Sequence, residues 1–262
     1  MNISQSTILY LFVTAVILGL LPFVVVGYWK AKKKSEVSIY IYFIGAAGFI
    51  ISARVCEMIP HIFCILLDNP ISRFITGNTV AYVLYGISMA GIFEECGRYV
   101  ILRFFIKKNR TKVNAITYGI GHGGIEVWLI ALPVVIMYLA TAMSTLTNGR
   151  NAAVAAYGET MFTATATFGF GSAVLMVLER VICMGLHTAL SVVVFASVET
   201  GKKKYLLYAI LLHAVFDIFP ALYQRGVVPM YASEIWLATC LPITVAFAWE
   251  LYAKTLVSEK VS

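Results

Sequence analysis

Long apolar runs separated by short basic clusters are the feature that most constrains this chain. About 20 predominantly apolar residues are enough for a helix to cross a bilayer, and several runs reach that length. Hydrophobic residues make up 60% of the 262 positions and charged residues 13%, roughly half the charged share of a soluble domain. The sequence therefore predicts an all-α fold, a polytopic transmembrane helix bundle.

We predict about seven membrane helices within a single integral-membrane domain that covers residues 1–262. Their approximate bounds are 7–29, 37–55, 80–106, 113–142, 170–198, 205–224 and 234–253. The short apolar run 56–67 either extends the second helix or lies at the membrane surface, because Pro60 interrupts it. Residues 144–159 are predicted to form an outer loop, and residues 160–169 to form an amphipathic approach to the fifth helix.

The basic clusters predict the orientation of these helices. Lysines follow the first, third and fifth helices, within 30–34, 107–112 and 202–204. Cytosolic loops are enriched in Lys and Arg, so we expect the N-terminus outside and the C-terminus in the cytosol of a multi-pass protein of the cell membrane, the bacterial cytoplasmic membrane. The net charge of +7 lies at helix ends and not on a soluble face, so no nucleic acid partner is expected.

Ionisable side chains interrupt four of the predicted helices. A charge near the centre of a membrane helix costs about 2.5–3.5 kcal/mol on insertion scales, so such residues mark transport pathways or reaction centres. They are Glu94, Glu95 and Arg98 in the third helix, His122 and Glu126 in the fourth, Glu179, Arg180 and His187 in the fifth, and His213 and Asp217 in the sixth.

Two carboxylates and three imidazoles among these residues fall at one predicted depth. Counted inward from the cytosolic helix ends at 1.5 Å per residue, all lie about 12–18 Å below that surface. They are Glu94, Glu95, His122, His187 and His213. The pairs His122–Glu126 and His213–Asp217 are both spaced i, i+4, so each pair shares a helix face. We therefore expect one common site in the interior of the bundle.

The residue types at this depth suit the hydrolysis of a peptide bond. Glu94 or Glu95 can act as general base to a water, and Arg98 can hold one of the two carboxylates ionised and oriented. Neutral imidazoles can bind a transition metal, stabilise an oxyanion, or do both. A base, a water and an electrophilic stabiliser together are the components of a hydrolytic site.

The remaining intramembrane charges have two interpretations. Glu126 and Asp217 either ligate a metal directly or accept hydrogen bonds from the imidazoles and orient them. Glu179 and Arg180 are adjacent and nearer the outer side, so we interpret them as a structural ion pair.

Four ordered motifs carry a resemblance to a known family. They are Phe93-Glu94-Glu95-Cys96-Gly97-Arg98, Gly121-His122-Gly123-Gly124-Ile125-Glu126, Glu179-Arg180 with His187, and His213-x-x-x-Asp217. These motifs resemble the YhfC-type intramembrane metalloproteases, which are similar to the type II CAAX-prenyl proteases and the PrsW-like proteases. The resemblance runs through the third to sixth helices, at about 80–106, 113–142, 170–198 and 205–224, which are therefore the expected catalytic helices.

The resemblance implies an intramembrane peptidase and assigns roles to its residues. Glu94 is the water-activating carboxylate, and Glu95 and Arg98 complete the catalytic group. The metal ligands are His122, His187 and His213. Asp217 stands where prenyl proteases commonly have Asn, and Tyr118 stands where the clan has Phe. These departures count against a prenylated CAAX substrate.

The cofactor and the substrate follow as expectations. Three histidines with a carboxylate suit a divalent metal, with Zn²⁺ favoured, while a metal-free glutamate–histidine mechanism stays open. The expected partners are the lipid bilayer and a substrate that is a membrane protein or a lipidated or hydrophobic peptide. The alternative function is a proton- or ion-coupled transporter in which the Glu, His and Asp side chains form a relay, and an inactive scaffold is the third.

Overall fold

A computed structural model of the chain describes residues 3–259, with side chains described for residues 3–254. Over this range the chain is helical and contains no strand. Ten helices follow one another as α1 Gln5–Lys33, α2 Ile39–Leu66, α3 Pro70–Gly77, α4 Thr79–Phe105, α5 Lys112–Asn148, α6 Arg150–Tyr157, α7 Glu159–Ala166, α8 Phe170–Thr200, α9 Lys204–Gln224 and α10 Met230–Glu259. The all-α prediction is confirmed.

Within the described range, six helices are long and apolar enough to cross a membrane, namely α1, α2, α5, α8, α9 and α10. The pair α3 and α4 passes the same test together, but the two helices are bent by 103° at the break between them, so they add at most a seventh span. The predicted bundle of about seven membrane helices is confirmed, and the orientation of its termini stays a prediction.

The bend between α3 and α4 lies at Asn78, and a second asparagine, Asn69, starts α3. The side chain of Asn69 accepts a hydrogen bond from the backbone N–H of Ser72 at 3.0 Å and caps the start of α3. Asn78 has an extended backbone that ends α3, and its side chain accepts from the N–H of Ala81 at 3.0 Å. Asparagine is a preferred N-cap because its oxygen satisfies a helix donor that has no partner within the helix. A new helix therefore starts at each of these residues.

The second helix continues through its proline to Leu66, so the run 56–67 mostly extends α2. Wider π-helical turns lie on both sides of Pro60, at Ile50–Cys56 and Ile62–Leu66. Proline donates no backbone hydrogen bond, and local π-helical adjustment is one way in which membrane helices tolerate it.

The predicted outer loop at 144–159 is wrong for most of its length. Helix α5 extends to Asn148, and the alanine-rich segment Arg150–Tyr157 forms α6. Two glycines with positive φ, Gly149 at 83° and Gly158 at 86°, separate the helices on either side of α6. Most of the segment 160–169 is helical as α7.

The chain divides into two compact units. The first consists of Met1–Val25 and Glu126–Val181, and the second of Val26–Ile125 and Ile182–Ser262. Helices α1, α5 and α8 each contribute residues to both units. In the first unit, the Trp128 indole donates to the carbonyl of Gly19 at 3.2 Å and packs edge-on against Phe23. The single integral-membrane domain of residues 1–262 stays a prediction.

The core of the second unit is built around the second half of α8. This segment is an almost continuous apolar run with fully buried Leu190, Val193 and Phe195. A helix that is apolar on all sides is typical of the centre of a bundle. The second half of α8 is therefore surrounded by protein and not by lipid. Most of the predicted site residues lie in this second unit.

Candidate active site

Helix α4 points its two adjacent glutamates at different partners. Neither Glu95 nor Arg98 has exposed side-chain surface, and Nη1 of Arg98 donates to both carboxylate oxygens of Glu95 at 2.6 Å. The spacing of i, i+3 places these two side chains on one face. Successive residues on a helix point about 100° apart, so Glu94 turns away from this pair.

The carboxylate of Glu94 faces two imidazoles. Its Oε2 atom lies 2.9 Å from Nε2 of His122 and 3.8 Å from Nδ1 of His187. The same Nδ1 of His187 lies 3.2 Å from Nη2 of Arg98, and a guanidinium only donates, so this ring nitrogen is the acceptor. Arg98 therefore contacts both Glu95 and one of the histidines.

The third histidine lies between two carboxylates. His213 Nδ1 donates to Oε1 of Glu95 at 2.7 Å, and its Nε2 lies 3.4 Å from Oδ2 of Asp217. The latter pair has the i, i+4 spacing, as the sequence indicates. The side chain of His213 is buried, whereas that of Asp217 is 35% exposed. Both ring nitrogens of His213 thus face carboxylates.

The three imidazole rings form a row. The ring centroids of His122 and His187 are 4.9 Å apart, and those of His187 and His213 are 5.3 Å apart. The Phe49 ring of α2 packs edge-on against the His122 ring, with centroids 5.2 Å apart. The ring of Tyr118, one helix turn before His122, has its centroid 6.1 Å from that of His122. The structure therefore brings together the two glutamates, the arginine and the three histidines that the sequence singles out.

Two glycines allow α2 and α5 to approach backbone to backbone beside His122. A methyl group on Gly121 would lie 1.9 Å from the carbonyl oxygen of Tyr42, and one on Gly45 would lie 2.1 Å from the carbonyl oxygen of Tyr118. No side chain fits at such distances. Small residues at helix interfaces permit this packing in membranes.

Other glycines of α5 face α8 in the same way. A methyl group on Gly119 would lie 2.6 Å from Cα of Thr188, and one on Gly123 would lie 2.9 Å from Cα of Met184. Alternating glycines thus bring the α5 backbone against α2 on one side and α8 on the other. His122 lies between these contacts, which explains why it is fully buried.

The donor atoms of Glu94, His122 and His187 fit a metal ion. One ligand atom from each lies within 4.8 Å of the others, and all three residues are buried. Two imidazoles with one carboxylate are a ligand set of catalytic zinc sites. In addition, Nδ1 of His122 is buried without a hydrogen-bond partner among residues 3–254. His213, the other sequence-predicted ligand, faces Glu95 and Asp217, and its role as a ligand stays a prediction.

The remaining sequence-predicted residues form a separate set of contacts within the first unit. Arg180 donates to Glu126 at 2.9 Å and to Glu179 at 2.5 Å. The Glu179–Arg180 ion pair is therefore present, with Glu126 as a second carboxylate on the same guanidinium. For Glu126, the roles of metal ligand and of imidazole orienter stay predictions.

Sequence reasoning missed Phe49, which packs against His122. No signal in the sequence could have identified it, because it is one apolar residue within an apolar helix. It also missed Gly45, whose contact with the α5 backbone holds His122 in place. The spacing Gly45-x-x-Gly48 in α2 is the only hint, and small residues are frequent in membrane helices.

Comparison with known proteins agrees with this geometry. Residues 17–237 match the family described as YhfC intramembrane metalloprotease. The chain is also 30% identical to the uncharacterized membrane protein YhfC of Bacillus subtilis (strain 168), over 96% of this chain and 98% of the relative. No solved structure matches it. This multi-pass membrane protein belongs to the YhfC intramembrane metalloprotease family.

Proposed function

We propose that the protein is an intramembrane peptidase in which Glu94 activates the water that attacks a peptide bond within or near the bilayer. The observation that supports this most directly is the division between the two glutamates. Glu95 is held by Arg98 and His213, whereas Glu94 faces His122 and His187. A general base must reach the water beside the group that stabilises the developing charge, and Glu94 meets that condition.

Glu95 is poorly suited to the role of base. Both of its oxygens accept from the Arg98 guanidinium, and one of them also accepts from His213. A carboxylate that is fully occupied by charged and polar donors has little tendency to take another proton. Its function in this proposal is to position His213, which it holds beside His187 in the row of imidazoles.

We propose that a divalent metal, Zn²⁺, is held by His122 and His187, with His213 as the third ligand. Glu94 lies within ligand distance of the first two imidazoles, and in this proposal it stays outside the ligand set so that its carboxylate can take a proton from the water. When bound, such an ion polarises a carbonyl and lowers the pKa of a coordinated water. The chain supplies the rest. Oε2 of Glu94 faces the imidazoles. Nδ1 of His187 accepts a hydrogen bond from Arg98, so coordination of a metal through this nitrogen would replace that bond.

The burial of the site indicates the kind of substrate. Glu94 and the three histidines lie within long apolar helices, with at most a tenth of each side chain exposed. A substrate must bring its peptide bond to them through a low-dielectric environment, which favours a membrane protein or a hydrophobic or lipidated peptide. We place this reaction in the bacterial cytoplasmic membrane. No comparable support exists for the transporter alternative, and Asp217 in place of Asn separates the site from the prenyl proteases.

The test is cleavage of a tethered transmembrane reporter by the purified protein in proteoliposomes. Glu94→Gln is expected to lower the rate about 10²–10⁴-fold, the usual effect of losing a general base. The matched control is Glu57→Gln, which removes another buried carboxylate that pairs with His61 in α2 and is expected to keep the rate. Near-normal cleavage by folded Glu94→Gln protein would refute the assignment.

Metal content tests the second part of the proposal. Wild-type protein is expected to carry about one zinc ion per chain by elemental analysis, and His122→Ala to lose most of it. Glu57→Gln again serves as the control and should retain it. A chelator should abolish cleavage, and added Zn²⁺ should restore it. Full activity after complete metal removal would establish the metal-free mechanism instead.

A further inference from the structure

Two cations converge on one phenol at the end of α4. Nη1 of Arg103 donates to Oη of Tyr99 at 2.9 Å, and Nζ of Lys203 donates to the same oxygen at 2.6 Å. The Lys203 ammonium also lies 3.9 Å from the centroid of the Tyr99 ring. Tyr99 is buried, whereas Lys203 is exposed and Arg103 is partly exposed. Lys203 directly precedes α9, so this cluster connects the end of α4 with the start of α9.

Among the described side chains, no carboxylate balances these charges. Among the side chains of residues 3–254, none of the acidic groups lies within ion-pair distance of Arg103 or Lys203. Glu199, in the last turn of α8, pairs with Arg110 instead. Two cations that share one neutral acceptor repel each other, and the repulsion strengthens as water is excluded. An anion placed between them would remove this repulsion.

The phenol itself provides a third donor. A tyrosine hydroxyl can accept two hydrogen bonds and donate one, and both acceptor positions of Tyr99 are taken by the two cations. Its own hydrogen has no acceptor among the described residues. Lys203 and Arg103 likewise carry more N–H groups than Tyr99 can accept. The cluster therefore keeps unused O–H, ammonium and guanidinium donors around one phenol oxygen, and these are donor types that bind the oxygens of a phosphate.

The surroundings place the cluster at the boundary of the apolar surface. Phe104 and Phe105 follow Arg103 and are strongly exposed, as is Leu207 in the first turn of α9. Exposed apolar side chains beside basic groups are the arrangement found where a membrane helix passes from lipid tails to headgroups. The phosphate that meets donors at this level is that of a lipid.

We propose that Tyr99, Arg103 and Lys203 bind the headgroup phosphate of an anionic phospholipid and thereby join α4 to α9. Basic pockets between membrane helices bind anionic headgroups in this way. Both helices carry residues of the candidate active site, Glu94 and Glu95 on α4 and His213 on α9. The site is independent of hydrolysis, so it can be tested in protein that has no activity.

The experiment measures binding of phosphatidylglycerol to the full chain in detergent, by native mass spectrometry and by the increase in the thermal unfolding midpoint. Phosphatidylcholine at the same concentration is the headgroup control. We expect phosphatidylglycerol to raise the midpoint and phosphatidylcholine to raise it much less. Inorganic phosphate separates the sources: an equal increase with phosphate alone would show a site for soluble anions and overturn the lipid assignment.

Three variants separate a built site from general attraction to a basic surface. Tyr99→Phe changes no charge and is expected to weaken phosphatidylglycerol binding about tenfold. Lys203→Gln should weaken it at least tenfold more than Lys202→Gln, which removes the same charge from the adjacent exposed residue. If Tyr99→Phe fails to fold, the two lysine variants decide the question, since both positions are exposed. Equal losses for Lys202→Gln and Lys203→Gln would overturn the proposal.

Discussion

Replacing Glu95 by Gln is expected to destabilise the protein far more than the same change at Glu94. Neither Glu95 nor Arg98 has exposed side-chain surface, and both oxygens of Glu95 accept from Arg98 at 2.6 Å. Glutamine keeps the shape of the side chain but removes its charge, so the guanidinium stays buried with a weaker partner. Breaking a buried ion pair at one end destabilises proteins by about 3–5 kcal/mol.

The same change at Glu94 leaves no cation without its counterion. The partner of Glu94 at 2.9 Å is the imidazole of His122, which can stay neutral and keep a hydrogen bond to an amide. The expected loss is about 1 kcal/mol, the net value of a typical hydrogen bond. Hydrolysis, in contrast, should be lost in Glu94→Gln.

Thermal unfolding in detergent, followed by tryptophan fluorescence, measures both variants. At about 2–4 °C per kcal/mol for a chain of this size, Glu95→Gln should lower the midpoint by about 6–20 °C and Glu94→Gln by about 2–4 °C. The double variant Glu95→Gln, Arg98→Met removes the uncompensated charge and should recover most of the loss. Equal shifts for the two Gln variants, or a double variant no more stable than Glu95→Gln alone, would refute this reasoning.

Three further predictions concern packing, the second ion cluster and topology. Gly121→Ala should abolish stable folding, because its methyl group would lie 1.9 Å from the carbonyl oxygen of Tyr42, whereas Gly19→Ala in open space should be tolerated. The yield and the thermal unfolding midpoint of the two variants in detergent test this difference. Glu126→Gln should destabilise by about 1–3 kcal/mol, less than Glu95→Gln, because Arg180 keeps a second carboxylate partner, and a larger loss would contradict this. A C-terminal tag should be protected from protease added outside intact cells, and digestion there would reverse the predicted orientation.

The fold was largely predictable because long apolar runs leave a membrane helix few alternatives. The sequence placed three of the four expected catalytic helices close to their observed bounds, since the bilayer sets the length of a span, whereas the predicted helix 113–142 continues as α5 to Asn148. It left open whether α2 passes Pro60, because that depends on π-helical turns on both sides. The loop expected at 144–159 was wrong because the Thr, Asn and Gly residues of this segment indicated a loop, whereas alanine, a strong helix former, makes up half of α6.

The composition of the candidate site was predictable from helical depth, but its pairings were not. Depth depends only on the rise per residue, so the sequence could assign Glu94, His122 and His213 to one layer. Which carboxylate meets which imidazole depends on helix rotation, and a rotation of one residue exchanges Glu94 with Glu95. For the same reason, spacing alone could not show that His213 is held by Glu95 at 2.7 Å.

The close contacts of α5 also restrict how a polypeptide can enter from the lipid. At Gly121 and Gly45 the α5 and α2 backbones touch, and at Gly119 the α5 backbone touches α8. If the protein cleaves a membrane segment as proposed, opening either of these two helix contacts would separate backbone from backbone at this depth, so we expect the substrate to enter elsewhere. The carboxylate of Asp217, one third exposed beside the buried His213, is the most exposed side chain of the cluster. Under the proposed function, we expect a scissile bond to arrive from that side.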